Sequence, residues 1–341
     1  MEAILSAHQL ISIDLGDASQ VSAARIGVQA LARALDFDET NAGRVAIAVT
    51  EVATNVVRHG KGGWLFARAL SRGEALGIEV LAVDDGPGMA SFAASSRDGY
   101  STRGSAGTGL GSMQRQSDEF DVYTDSGHGT ALRMVFWDRE TGPDASRYEI
   151  GAVCVPKEGE TQSGDAWAFQ EHAEGATFVV ADGLGHGPDA CIAAATAVQA
   201  FRNHAGESAI RILEVMHARL RPTRGAAVAV IRHERSAGEI AYAGVGNIAA
   251  SVWQGDIDTR RAMVSHNGIV GHNIHRSSEY RYPWPAGALL VAASDGLETH
   301  WDMSAHPRLG SCHPAIIAAV LYREHSRKRD DVCVLVVRQR N

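Results

Sequence analysis

The stretch Glu51-Val52-Ala53-Thr54-Asn55-Val56-Val57-Arg58-His59-Gly60 decides how the first half of the chain is read. Glu51, Asn55 and His59 recur every four residues, so a helix stacks them on one face. Ala48, Val52 and Val56 fall on another face, toward a core. Asp38-Glu39-Thr40 offers capping residues ahead of this helix, and Gly60 offers a stop behind it. A stripe of carboxylate, amide and imidazole on such a helix suits either solvent or a ligand.

Two further clusters favour a ligand. A strand-like run over 78–83 leads into Asp84-Asp85-Gly86-Pro87-Gly88, a carboxylate at a strand end followed by glycines that let backbone approach a flat molecule. Downstream, Gly104 and Gly107-Thr108-Gly109-Leu110-Gly111 precede a helix-like run, the arrangement in which backbone N–H groups cradle phosphate. Around these motifs, 19–35 has helical spacing, and 8–14, 64–70, 77–83 and 130–137 read as strands.

In this order and at these separations the three clusters resemble the GHKL ATPase superfamily, over about residues 1–137. Within it the likeness is to bacterial switch kinases and anti-sigma factors of the RsbT/RsbW kind. Asp98-Gly99-Tyr100-Ser101-Thr102, the GTGLG run and Asp118-Glu119-Phe120 lean toward RsbT. The resemblance implies that Asn55 holds Mg²⁺ on the phosphates of ATP and that Glu51 is the general base. It implies that Asp84 accepts from the adenine amino group, in a pocket shaped by Gly86 and Gly88. Gly107, Thr108, Gly109, Leu110 and Gly111 would form the lid over the phosphates, and Thr130, in Gly127-His128-Gly129-Thr130, would close the adenine site. Phosphoryl transfer needs positioning, a metal on the phosphates and a base near the acceptor hydroxyl. Glu51 one turn from Asn55 would supply the last two together.

The segment Asp138 to Arg147 is polar and contains Gly142-Pro143, which marks it as a linker. After it come strand-like runs at 149–155, 176–181, 226–232, 239–243, 247–253, 288–293 and 332–338, with helical stretches near 188–203, 207–220 and 313–325. Many strands with a few long helices suggest packed sheets flanked by helices. Four acidic positions stand out: Asp165 after Ser163-Gly164, Asp182 in Asp182-Gly183-Leu184-Gly185-His186-Gly187, Asp295 in Ser294-Asp295-Gly296, and Asp330-Asp331. Carboxylates beside apolar strands are costly unless paired or bound to cations. Clustered oxygen donors with Gly neighbours suit hard cations such as Mg²⁺ or Mn²⁺.

These motifs, together with Ala243-Gly244-Val245-Gly246-Asn247, resemble the SpoIIE/RsbX branch of the PPM-type phosphatases over about residues 148–341. The resemblance implies a site for two divalent cations, Mn²⁺ or Mg²⁺. Asp182 would bridge them, the Gly183 carbonyl would ligate one, Asp295 and Asp330 would complete one, and Asp165 would act through water. Two such cations activate water for in-line attack on a phosphate ester, so no nucleophilic Ser or Cys is required. His186 is a candidate general acid toward the leaving serine oxygen. In many members of the wider superfamily the histidine directly follows the Asp-Gly pair, whereas here that position is Leu184. His266 and His272 are further candidates near the site.

The 341 residues allow two domains with cores of their own. The expected division is 1–139 for a GHKL ATP-binding kinase-like domain, 140–147 for the linker and 148–341 for a SpoIIE/RsbX-like phosphatase domain. The expected class is α+β, with a Bergerat α/β sandwich followed by a PPM-type α-β-β-α sandwich, each half folding independently. A net charge of −8 and no basic run beyond Arg327-Lys328-Arg329 argue against nucleic acid as partner. The four scattered cysteines form no CxxC pair, and no long apolar stretch suggests a membrane span, so the expectation is a cytoplasmic protein. A kinase and a phosphatase in one chain imply opposing control of one class of phosphoprotein. The resemblance points to a STAS-domain antagonist or a stressosome-type protein as substrate. The alternative is an ATP-dependent anti-sigma module that captures a sigma factor, fused to a phosphatase acting on the anti-anti-sigma partner.

Overall fold

The computed structural model describes residues 10–89, 109–141, 146–255, 259–274 and 277–340. By contacts the chain divides into two compact units: Met1–Ala145 with Met303–Arg323, and Ser146–Asp302 with Glu324–Asn341. No helix among the described residues is long and apolar enough to cross a membrane.

The first unit is built on an antiparallel sheet in the order β1-β2-β3-β5-β4: β1 (Ile11–Asp14), β2 (Gly63–Arg72), β3 (Ala75–Asp84), β4 (Glu119–Thr124) and β5 (Thr130–Trp137). Its helices are α1 (Ser19–Ala34), α2 (Glu39–His59) and α3 (Gly109–Gln116). Asp38 caps α2 by accepting from the Asn41 amide at 2.7 Å, and Arg58 and His59 sit in its last turn, complementing the helix dipole. Arg44 of α2 donates to the Gln116 carbonyl at the end of α3 and pairs with Asp118 at 2.7 Å. Strand side chains alternate between faces. Leu65, Ala67, Ile78, Val80, Leu132 and Met134 form the core with Val45, Val49, Val52 and Val56 of α2.

The opposite face is also buried, although it carries charge. Glu79 is 1 % exposed and receives Arg68 Nε at 2.6 Å and Arg133 Nε at 2.8 Å. Burial opposes ionisation of Glu79, but Arg68 and Arg133 prevail and hold its carboxyl down to about 2. Beside this network Phe66, Leu81 and Val83 are enclosed. The cover includes Met303–Arg323: Tyr322 meets Trp64 and Phe66 edge-on, with ring centroids 5.6 and 5.4 Å away. This segment distinguishes the division by packing from a cut at the linker, of which residues 142–145 lie outside the described residues.

A consequence follows for fragments. Residues 1–139 alone leave Trp64 and Phe66 without Tyr322, and each large side chain returned to water forfeits about 1.5–3 kcal/mol. The fragment is expected to melt below the first transition of the full chain or to self-associate. Thermal melting and size-exclusion chromatography check this; a monomeric 1–139 that melts like the full chain would contradict it.

The second unit stacks two antiparallel sheets. One has the order β15-β10-β9-β8-β7 and the other β12-β11-β16-β17-β6. In the first are β7 (Asp165–His172), β8 (Gly175–Gly183), β9 (Ala226–Glu234), β10 (Glu239–Val245) and β15 (Tyr280–Pro283). In the second are β6 (Tyr148–Val155), β11 (Ala249–Gln254), β12 (Thr259–Ala262), β16 (Leu289–Ala293) and β17 (Val332–Gln339). A short hairpin pairs β13 (Gly268–Ile269) with β14 (Asn273–Ile274). Phe178, Val180, Ile231 and Tyr242 meet Cys154, Leu290, Leu335 and Val337 between the sheets. The helices α4 (Pro188–Arg202) and α5 (Ala209–Leu220) bury Phe201, Ile212 and Met216 against the other side of the first sheet. Pro188 opens α4, where a missing N–H costs nothing. A further helix, α6 (Pro314–His325), which belongs to the first unit as far as Arg323, buries nine consecutive residues from Pro314 to Tyr322. The class is the one expected, α+β, with an α/β unit followed by a sandwich of two sheets.

Candidate nucleotide site and candidate metal centre

In the first unit, α2 carries Glu51 and Asn55 half-buried and His59 exposed. The helix ends where it meets β3: a Cβ on Gly60 would stand 2.5 Å from the Cβ of Asp84. Only glycine permits that approach, and it brings the end of the polar stripe to the carboxylate. Asp84 Oδ1 accepts from the Gly86 amide at 2.8 Å and from the Thr130 amide at 3.2 Å. Burial nevertheless raises its pKa, against these donors and the nearby Arg323 charge. Gly88 packs against the Asp125 carbonyl with φ of 65°. The structure thus gathers Asp84, Gly86, Gly88 and Thr130 around the ends of β3 and β5. Leu110 and Gly111, with Gly109, open α3, while Gly107 and Thr108 lie outside the described residues.

Thr124 escaped the sequence reading. Its buried hydroxyl accepts from the Met89 amide at 2.8 Å, donates to the Gly129 carbonyl at 3.2 Å and lies 3.3 Å from the Thr130 hydroxyl. One side chain therefore ties the loop after Asp84 to the turn before Thr130. Threonine at a strand end carries no distinguishing signal in sequence.

In the second unit the pairing of β7 with β8 sets Asp165 directly opposite Asp182. Asp165 is 4 % exposed; Ser294 Oγ donates to it at 2.6 Å and is itself held by the Cys333 amide at 2.8 Å. The β16 end supplies Asp295, whose Oδ2 accepts from Asn247 Nδ2 at 2.6 Å. The start of β17 supplies the acidic doublet: a Cβ on Gly296 would lie 2.0 Å from the Asp331 carbonyl, so the two loops touch backbone to backbone.

Electrostatics show that these carboxylates sense one another. Burial first, and then the charges of Asp295, Asp330 and Asp331, push Asp182 up to about 7. Burial and the Asp182 charge raise Asp165 well above the carboxylate range. Burial and then Asp330 raise Asp295. Asp331, mentioned with Asp330 in the sequence but not singled out, is the enclosed member of the doublet at 3 % exposure, while Asp330 is exposed. Its Oδ1 accepts from the Lys157 amide at 2.8 Å, while Oδ2 is buried with no hydrogen-bond partner among the described residues. The Gly164 amide lies toward Asp331 and steadies its charge, but does not meet Oδ2 with hydrogen-bond geometry. An orphaned buried carboxylate oxygen beside mutually repelling all-oxygen donors fits divalent cations. Among the described residues no three acidic, His or Cys side chains form a ready-made ligand cluster about one point.

His186 sits in the exposed loop between β8 and α4, with Nδ1 2.7 Å from Glu160 Oε1. Its charge reaches Asp331. His266 instead contacts the Tyr280 hydroxyl at 3.2 Å and His272 the Thr223 carbonyl at 3.0 Å.

Both parts of the chain match known proteins. Residues 16–136 match the family described as histidine kinase-like ATPase domain, and residues 173–340 match stage II sporulation protein E (SpoIIE). The serine/threonine-protein kinase RsbT of Bacillus subtilis (strain 168) is 32% identical over 120 residues, 35% of this chain and 89% of that protein. An anti-sigma F factor of Thermoanaerobacter sp. (strain X514) is 32% identical over 126 residues, 35% of this chain and 87% of that protein. A solved structure described as "The bacterial stressosome: a modular system that has been adapted to control secondary messenger signaling" is 29% identical, with a TM-score of 0.52, over 57% of this chain and 100% of that one. With the nucleotide-type constellation in one unit and the carboxylate rim in the other, the chain belongs to the RsbT/RsbW-like family of histidine kinase-like ATPase domains and carries a SpoIIE domain.

Proposed function

We propose that the chain both phosphorylates and dephosphorylates Ser or Thr of a STAS-domain partner in a bacterial partner-switching or stressosome pathway. The observation that carries this reading is that two sets of site residues, each of a different chemistry, are gathered in separate units of one chain.

In the first unit Asn55 would hold Mg²⁺ on the phosphates, Asp84 would accept from the adenine amino group, and Thr130 and Thr124 would brace the pocket wall. Gly109, Leu110 and Gly111 at the start of α3 would contact the phosphates. Mg-ATP, when bound, would supply the phosphoryl group, with its Mg²⁺ offsetting charge on the phosphates. Glu51, one turn from Asn55, takes the proton of the acceptor hydroxyl.

In the second unit Asp182, the Gly183 carbonyl, Asp295 and Asp330 would hold two divalent cations, Mn²⁺ or Mg²⁺, with Asp165 acting through water and the orphaned oxygen of Asp331 adding negative charge. The cations, when bound, would supply the activated water for attack on phosphorus. His186 protonates the leaving serine oxygen, and its contact with Glu160 orients the ring.

The relative named as an anti-sigma factor favours a second reading, in which the first unit captures a sigma factor and transfers nothing. Radiolabelled ATP and purified STAS proteins distinguish the two. Label is expected on a Ser or Thr of the partner; tight sigma-factor capture with no label transfer would establish the second reading.

A further inference from the structure

One residue of the nucleotide site comes from far along the chain. Arg323, near the end of α6, donates from Nη1 to the backbone carbonyl of Asp84 at 2.6 Å, and its Nε lies 3.5 Å from Asp85 Oδ1. Its side chain is only 3 % exposed, whereas that of Asp85 is 67 % exposed. Gly129, with φ of 67°, makes the room: a Cβ there would lie 2.0 Å from the Asp84 carbonyl and 2.6 Å from Arg323 Nη1. Gly129 in turn holds the Thr124 hydroxyl through its own carbonyl. Asp84 is therefore fixed from two sides. Gly86 and Thr130 hold its carboxylate, and Arg323 holds its backbone.

A buried guanidinium is expensive to leave unpaired, and at this turn a carbonyl with an acidic neighbour helps to satisfy it. The contact is local to the motif that reads the base; Arg323 stands beside the Asp84-Asp85 turn rather than in the sheet core.

We infer that Arg323 is a positioning residue of the nucleotide site, which orients the Asp84 turn so that its carboxylate meets the amino group of adenine. The inference rests on the reading of Asp84 as the adenine acceptor. Arg323 lies within the stretch matched to SpoIIE, so the nucleotide site draws one of its supports from that part of the sequence. Its positive charge also favours the ionised form of Asp84, against burial and the like charge of Asp85. An ionised Asp84 accepts from the adenine amino group, while a protonated one offers a competing donor.

The test is binding of a fluorescent ADP analogue with Mg²⁺ to the full-length chain, with Arg323→Met, Arg323→Lys and Asp84→Asn measured across pH 5 to 8. Arg323→Met is expected to raise Kd on the order of tenfold, the scale of one charge-assisted hydrogen bond, and to shift the acid loss of affinity to higher pH. Arg323→Lys, which keeps the charge and a donor, is expected to restore the pH profile and part of the affinity. A role in folding alone would lower the melting temperature without moving the pH profile. Arg323→Met that binds like the wild type, while Asp84→Asn does not, would overturn the inference and leave the nucleotide site standing. Undiminished binding by Asp84→Asn would overturn the reading of Asp84 itself.

Discussion

Asp182→Asn is expected to lower hydrolysis of a phosphoserine substrate in Mn²⁺ on the order of 10³-fold or more, the scale on which loss of an electrostatic stabiliser at reacting atoms shows in turnover. Asp182 lies at the end of β8 opposite Asp165 and feels three further carboxylates. An amide at this position cannot offset the charge of two cations. The same substitution has the opposite effect on the cation-free fold. Asp182 titrates at about 7 in the folded chain, above its ordinary value of 3.8. A raised carboxyl contributes stability that is present below the ordinary value and is lost as pH rises through the folded one. Without cations, the wild type should therefore lose stability between about pH 4 and 7, by roughly 2–4 kcal/mol from this group alone. Asp182→Asn should flatten most of that limb and melt higher at pH 7.5; the Asp165 carboxyl, also raised, keeps part of it. Melting in a chelator across pH checks the second effect. Near-normal turnover in Asp182→Asn would remove the carboxylate rim as the catalytic centre.

The second large effect belongs to α2. Asn55→Ala is expected to weaken Mg-ATP binding about 100-fold or more, because a hard cation loses an oxygen ligand that an apolar side chain cannot replace. Glu51→Ala, one turn earlier, should leave the affinity within a few-fold while lowering phosphoryl transfer by about 10²–10⁴-fold, the usual contribution of a general base. The two variants thus split binding from chemistry. Calorimetry with Mg-ATP and a label-transfer assay read the two quantities separately. Unchanged affinity in Asn55→Ala, or unchanged transfer in Glu51→Ala, would contradict the assigned roles.

Much of this arrangement is legible in sequence because it is local. The four-residue spacing of Glu51, Asn55 and His59 follows from helix geometry, and Asp38 and Gly60 bound the same helix in the structure. Asp84, Asp182 and Asp295 each close or follow an apolar strand, so strand ends alone announce them. What sequence could not give is long-range. The charged pattern of Arg68, Glu79 and Arg133 reads as a solvent face, yet it is buried because the three residues satisfy one another. On the same face Trp64 and Phe66 meet Tyr322, which is over 200 residues further along the chain, and no local pattern predicts which surface α6 will meet. Arg323 was invisible for the same reason. Within Asp330-Asp331 the doublet is plain, but which carboxyl turns inward depends on the pairing of β17 with β6 and on the amide of Lys157. Thr124 acquires its role only when the Met89 and Gly129 backbones arrive beside it.

Bifunctionality is tested most directly by following a STAS-domain partner with γ-labelled ATP and Mn²⁺, using the wild-type chain beside Asp182→Asn. With Asp182→Asn, labelled Ser or Thr is expected to accumulate and persist. With the wild type, it should rise and then decay as labelled inorganic phosphate appears. Partner that never takes up label in either reaction, or label that persists equally in both, would contradict a chain that writes and erases the same kind of mark.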